Sequence, residues 1–121
     1  MKNNKLIWLS FIFVLGFVVQ AQAQKTKKRK KVATLSIKTS AQCGMCKDRI
    51  EKAMAYERGV KKAVLDVESK MLTVTYKTRK TNPDKLRKAV SNVGYDADKV
   101  IAEQKAYNKL PACCQKGGHD N

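Results

Sequence analysis

The sequence predicts an α+β domain in which an antiparallel sheet carries two helices on one face, the ferredoxin-like β-α-β-β-α-β order. Three observations predict it. Segments with an apolar residue at every second position alternate with two segments of helical spacing. These segments follow one another closely between residues 32 and 102. Each of them has a single apolar face, so all of them must share one core.

The first half of the domain supplies three strands and one helix. Apolar and polar residues alternate over 32–38, which predicts the first strand. After a loop, helical spacing places four apolar residues on one stripe of the first helix: Cys46, Ile50, Ala53 and Met54. Gly59 ends this helix, and alternation returns over 60–68 and over 71–77, with a tight turn at Ser69-Lys70.

The second half supplies the remaining helix and a final strand. Asn82 is a suitable helix cap, and Pro83 suits the first helical position. The apolar stripe of this helix consists of Leu86, Ala89, Val90 and Val93. Gly94 stops the helix, and we expect a short last strand over 98–102.

Residues 1–23 have the layout of a secretory signal peptide. Lys2 and Lys5 precede an apolar run over 6–19, and Ala21-Gln22-Ala23 offers the pattern that signal peptidase cleaves. The run is short for a spanning helix, which needs about 20 residues, and an uncleaved anchor is the alternative. We therefore expect secretion across the inner membrane, a periplasmic location, and a cleaved protein that is not integral to the membrane.

The chain is strongly basic. The predicted signal carries two of the 26 basic residues and no acidic one, so the cleaved chain would have a net charge of +14. Residues 24–31 are mostly basic and lack apolar periodicity, which indicates a flexible arm. An exported protein is not expected to meet nucleic acid, so this charge favours an acidic protein partner or an anionic membrane surface.

Four cysteines follow the predicted signal: Cys43, Cys46, Cys113 and Cys114. An oxidising compartment leaves both disulfides and metal ligation open for them. Cys43 and Cys46 stand where a loop enters the first helix, and the free N–H groups and dipole of a helix start lower thiol pKa values. Lys47 and Arg49 add positive charge nearby. Two thiolates without neighbouring His or carboxylate ligands suit a soft ion such as Cu(I), whereas structural Zn²⁺ normally takes four ligands.

The loop Thr-Ser-Ala-Gln-Cys-Gly-Met-Cys at 39–46, together with the element order, resembles the heavy-metal-associated domain family. Arg-Ile-Glu-Lys-Ala-Met at 49–54, Gly59-Val60 and Val-Gly-Tyr-Asp at 93–96 support this resemblance, which covers 32–102. Copper chaperones and the periplasmic mercury-binding protein belong to this family. The resemblance implies a metal carrier with Cys43 and Cys46 as ligands, Cu(I) as the favoured ion, and Hg(II) or Zn(II) as further candidates.

The sequence departs from the family pattern G-M-x-C-x-x-C, because Ser40 and Ala41 replace its glycine and methionine. The family's methionine packs beneath the metal loop, so Ala41 implies thinner support. Met45 is a candidate packing substitute or an exposed neighbour of the site, and less favoured as a direct ligand. Tyr95 falls near the metal end, where the resemblance implies that it shields the thiolates; a plain core role fits equally well.

Two other functions compete for the cysteine pair. A thiol–disulfide oxidoreductase is one, since Cys-Gly-x-Cys-Lys at a helix start is superficially similar to the thioredoxin site. Against it, Trp8 lies in the predicted signal, and Pro83 and Pro111 do not suit a cis-proline opposite the site. The other is an interaction module in which Cys43 and Cys46 form an inert disulfide. Apart from the thiols no catalytic constellation is visible, so we predict that the protein is not an enzyme.

Residues 103–121 form a tail that carries Cys113 and Cys114. Adjacent cysteines rarely pair with each other. Eleven residues separate Ala102 from Cys113; they reach about 36 Å when extended, and a helix over 103–110 would reach about 12 Å, so either form can return to the metal end. We hypothesise that both thiols add to the Cys43 site or control its redox state. An independent flexible tail is the alternative, and the lone His119 is not expected to be a ligand.

The sequence therefore predicts an exported, non-enzymatic protein that carries or sequesters a soft metal ion. A carrier needs a docking surface as well as accessible thiolates. The basic domain surface, with a net charge of +6 over 32–98, would suit an acidic metal-transporter or acceptor domain.

Overall fold

The computed structural model describes residues 30–118. The predicted signal at 1–23, the arm up to residue 29 and His119 lie outside the described residues. Within the described part, three strands and three helices follow one another: β1 (Val32–Lys38), α1 (Gly44–Tyr56), β2 (Val60–Asp66), β3 (Met71–Lys77), α2 (Pro83–Asn92) and α3 (Gln104–Asn108). A single 3-10 turn follows at Ala112–Cys114. None of the helices between residues 30 and 118 has the length and apolar character needed to cross a membrane.

The sheet is antiparallel, with β3 in the centre and the order β1-β3-β2. Alternation of side chains along a strand sends every second residue to the same face. Leu72 of β3 stands opposite Ile37 of β1 and Leu65 of β2, and all three are buried. The alternating pattern of the sequence therefore sets the register, because a shift by one residue would expose this apolar row.

Both long helices pack on that apolar face. Cys46, Ile50 and Met54 of α1 are fully buried, and so are Leu86 and Val90 of α2. All five belong to the same core as the buried residues of the sheet. The predicted cap of α2 is confirmed, because the Asn82 side chain accepts a hydrogen bond from the Lys85 N–H at 2.9 Å. The predicted α+β, ferredoxin-like class is confirmed by this arrangement.

The predicted last strand over 98–102 is wrong. A tight turn replaces it, because Asp98 adopts the left-handed conformation (φ 53°) and Ala97 and Val100 exchange backbone hydrogen bonds of 2.9 Å. The Asp98 N–H still donates to the Lys38 carbonyl at 2.8 Å, and its carboxylate accepts from the Lys38 N–H at 2.9 Å. The Asp98 side chain thus satisfies the Lys38 N–H at the end of β1. Next to this end, Thr39 and Ala97 form an isolated antiparallel bridge in place of a strand pair.

The chain after this turn is held against α2. Gly94 has φ +102°, and a Cβ there would lie 3.0 Å from the backbone of Ala106, so only a glycine lets α3 approach this closely. The Glu103 N–H donates to the Ser91 carbonyl at 2.9 Å, and the Glu103 carboxylate caps α3. Leu110 then enters the core with 6% of its surface exposed. The buried Leu110 therefore fixes the start of the segment that follows α3.

Glu51 joins α1 to β2. Its carboxylate accepts from the Leu65 N–H at 2.8 Å and from the Lys47 ammonium group, which also donates to the Leu65 carbonyl at 2.8 Å. Lys47 is therefore engaged by Glu51 and by the Leu65 carbonyl. Partial burial raises the pKa of Glu51, but these hydrogen bonds and the Lys47 charge outweigh it and lower the pKa overall.

We expect Glu51→Gln to lower the free energy of unfolding by about 1 kcal/mol at pH 7, because a charged acceptor is lost. A carboxyl whose pKa is lowered by folding stabilises the protein above its unfolded value of about 4.3, and this contribution disappears as the pH falls through the folded pKa. The difference between wild type and variant should therefore shrink toward zero in acid. Urea denaturation between pH 7 and pH 3 measures it, with exposed Glu68→Gln as control. A difference independent of pH would contradict the assignment.

Candidate metal site

The loop before α1 is anchored at both sides. The Thr39 hydroxyl donates to the Lys70 carbonyl at 2.9 Å and accepts from the Ala41 N–H at 3.2 Å. The Ser40 hydroxyl accepts from the Asp96 N–H at 2.9 Å. Ala41 is fully buried. Ser40 therefore ties this loop to the loop that carries Tyr95, a role that its position in the family pattern did not suggest.

Cys43 and Cys46 are brought together at the start of α1. Cys43 is the N-cap residue in an extended conformation, and its side chain makes no capping hydrogen bond. The two sulfur atoms are 3.4 Å apart. Cys46 is fully buried, whereas Cys43 is partly exposed. The pair thus combines one partly exposed cysteine with one fully buried cysteine.

The environment of Cys46 favours its thiolate. Burial raises its pKa, but a hydrogen bond with the Gln42 backbone and contacts with the thiols of Cys114 and Cys43 outweigh this, and the pKa falls below the usual value. A lowered pKa makes the nucleophilic and metal-binding form more available. The predicted lowering of the Cys46 pKa is confirmed. Hydrogen bonds cause it, and burial opposes it.

The C-terminal segment returns to the same place. The Cys113 and Cys114 sulfurs are 4.0 Å apart, and both lie within 4.8 Å of the Cys43 sulfur. Cys113 is partly exposed and Cys114 is 2% exposed. All four thiols are unbridged. The structure therefore brings the two cysteine pairs close together. The length of the chain alone had not decided whether they meet.

Cys114 has an environment opposite to that of Cys46. Burial, reinforced by the neighbouring Cys46 sulfur, raises the pKa of Cys114 to about 12. In the metal-free protein at neutral pH its thiol therefore keeps its proton. A metal ion would replace that proton, because thiolate is the ligating form.

Tyr95 lies under the thiols and is fully buried. Among residues 30–118 its hydroxyl finds no hydrogen-bond partner of normal geometry. Burial, and then the adjacent sulfurs of Cys114 and Cys46, raise its pKa far above the ordinary tyrosine value. Tyr95 is therefore both a core residue and a direct neighbour of the sulfurs, so the two roles considered from the sequence coincide.

Met45 lies on the surface with 49% of its area exposed, so it does not replace the packing of the family's methionine. Its sulfur lies 3.8 Å from the Cys113 sulfur, which donates to it. Met45 therefore lies beside Cys113, at the exposed edge of the four cysteines.

Three contacts that the sequence did not reveal hold the tail, two of them to the rest of the domain and one within the tail. The Lys116 ammonium group pairs with the Asp96 carboxylate at 2.6 Å, and the Lys116 N–H donates to the Tyr107 hydroxyl at 3.0 Å. The Gln42 amide donates to the Gln115 carbonyl at 3.1 Å. Gln42 and Gln115 are 73 positions apart, and no local pattern marks such a pair.

Comparison with known proteins places part of this chain in a known family. Residues 39–96 match the family model of the heavy-metal-associated domain. Copper-exporting P-type ATPases of Staphylococcus epidermidis and Staphylococcus saprophyticus are 30% identical over 67 residues and 33% identical over 70 residues, covering 55% and 56% of this chain. The chain spans only 8% and 9% of the length of these relatives.

A solved structure of the CopZ metallochaperone has the same fold. It is 26% identical, with a TM-score of 0.52, and the match covers 98% of that protein and 54% of this chain. The match to the family model includes both Cys43 and Cys46 and the loop of Tyr95. This chain therefore belongs to the heavy-metal-associated domain family.

Proposed function

We propose that the protein binds a soft metal ion, Cu(I) before Hg(II) or Zn(II), through the thiolates of Cys43 and Cys46. The observation that carries this proposal is the position of two sulfurs 3.4 Å apart at a helix start in a heavy-metal-associated domain. Soft thiolate ligands suit Cu(I) and Zn(II), and a pair of them lacks the four ligands that structural Zn(II) normally takes. Relatives named as copper exporters and as a metallochaperone support the same ion.

The protein acts as a carrier or a sequestering protein, and no catalytic step is needed. Cys43 is the accessible sulfur of the pair, so a partner's thiolate would replace it first and Cys46 second. The likeness to copper-exporting ATPases supports a metal-transporter domain as the partner. An acidic surface on that domain would complement the basic surface of this chain. Export to the periplasm remains a prediction of the sequence.

A competition titration tests this function. The reduced protein without its signal is titrated anaerobically with Cu(I) in the presence of a coloured Cu(I) chelator, and in parallel with Zn(II). We expect the protein to withhold at least one Cu(I) per chain from the chelator and to bind Zn(II) more weakly. No withheld Cu(I), together with a reduction potential in the range of redox catalysts, about −120 to −270 mV, would favour the oxidoreductase instead.

A further inference from the structure

We propose that the C-terminal segment is a built-in cap of the metal site, in which Cys113 and Cys114 join Cys43 as ligands of the same ion. This proposal rests on the proposed function, since it concerns the same ion. It adds a second set of sulfurs that shares Cys43 with the Cys43–Cys46 pair. The capped ion has three thiolate ligands and is less accessible to a partner than an ion held by Cys43 and Cys46 alone.

The sulfur separations fit three ligands better than two. With a metal–sulfur bond of about 2.3 Å, a linear ion needs sulfurs about 4.6 Å apart and a trigonal ion needs about 4.0 Å. Cys43 and Cys46 are only 3.4 Å apart and would have to open for linear binding. Cys113 and Cys114 are 4.0 Å apart, and each lies within 4.8 Å of Cys43. The three-sulfur set therefore needs little movement to close on an ion.

The buried hydroxyl of Tyr95 points independently to a charged ligand set. A fully buried hydroxyl without a partner is uncommon, because its desolvation is not repaid. The Cys46 and Cys114 sulfurs are its neighbours. When Cys114 ligates an ion its proton goes to solvent, and the resulting thiolate is a strong acceptor. A thiolate at Cys114 would thus accept a stronger hydrogen bond from the Tyr95 hydroxyl than the protonated thiol does.

The cap is attached by contacts that a partner could release. Leu110 anchors its beginning in the core, whereas the Lys116–Asp96 ion pair at 2.6 Å involves a Lys116 side chain that is 57% exposed. Exposed ion pairs are weak, so this pair is the contact of the segment that a partner would break most easily, before the buried Cys114 leaves its place. Because Cys43 belongs to both sulfur sets, the ion can pass from the capped set to Cys43 and Cys46 by exchanging one sulfur at a time.

X-ray absorption at the copper edge tests the cap. The protein without its signal is loaded anaerobically with one equivalent of Cu(I), as wild type and as Cys113→Ser/Cys114→Ser. We expect three sulfur ligands in the wild type and two in the double variant, whose Cu(I) a chelator should remove at least about 10-fold faster. Circular dichroism confirms that both proteins are folded.

Two lysine variants separate docking from ligation. Lys116→Ala keeps every cysteine but loosens the cap, so we expect faster removal of Cu(I) by the chelator. Lys109→Ala removes the same charge from an exposed position in the same segment and should leave the removal rate unchanged.

Two sulfur ligands in the wild type, with equal removal rates in the double variant, would overturn the cap and leave the Cys43–Cys46 site standing. A disulfide between Cys43 and either tail cysteine in anaerobically prepared protein would overturn it as well. A wild type that binds no Cu(I) contradicts the proposed function itself.

Discussion

Replacing Cys43 with serine is expected to lower the affinity for Cu(I) by more than about 100-fold, since even the loss of an outer partner of a ligand costs about 10–100-fold. Cys43 is the sulfur shared by the pair with Cys46 and by the set with Cys113 and Cys114. Its loss therefore removes one ligand from each set. Chelator competition under anaerobic conditions measures the change.

A loss of affinity in Cys43→Ser is not expected to come from unfolding. Cys43 occupies the N-cap of α1 without a capping bond, and serine is a favoured N-cap residue. We therefore expect Cys43→Ser to be at least as stable as wild type. Met45→Ala is the matched control, because it removes a neighbouring, half-exposed sulfur that is not proposed as a ligand. An affinity loss as large in Met45→Ala, or none in Cys43→Ser, would contradict the assignment.

Replacing Ile50 with alanine is expected to lower the free energy of unfolding by about 2–5 kcal/mol, because a large buried side chain leaves a cavity. Ile50 is fully buried on α1, one turn from both Cys46 and Met54. Small domains are stable by only about 5–15 kcal/mol, so the loss is a large fraction of the total. Urea denaturation of the reduced, metal-free protein measures it.

The control for this variant is Ile101→Ala, at a side chain that is 77% exposed, which should change stability by less than about 0.5 kcal/mol. Cu(I) at 100 times its dissociation constant should add about 2.7 kcal/mol to both proteins, since only the folded state holds the sulfurs together. A loss below about 1 kcal/mol in Ile50→Ala would contradict the packing of α1.

Local patterns were sufficient to predict most of the fold. Alternation in β1 and β3 predicted the apolar row of Ile37 and Leu72, and Asn82-Pro83 predicted the start of α2, because these signals act over a few residues. The last strand could not be predicted, because the left-handed turn at Asp98 and its bonds to Lys38 depend on a contact across 60 residues.

The candidate site shows the same division. The spacing of Cys43 and Cys46 at a helix start was readable from the sequence, and so was the direction of the Cys46 pKa shift. The contact of Cys114 with that pair could not be predicted, because the length of the chain limits how far the tail can reach but not in which direction it runs. The docking bonds of Gln42 and Lys116 left no signal, since neither residue type nor spacing marks a partner on a distant loop.

Native mass spectrometry under anaerobic conditions tests the central claim, that the sulfurs around Cys43 hold a Cu(I) ion, most directly. Wild type and Cys43→Ser are each mixed with one equivalent of Cu(I) and then with excess chelator. The claim predicts that wild type retains one copper ion and that Cys43→Ser retains none. Equal retention by the two proteins, or a copper-free wild type, would contradict it.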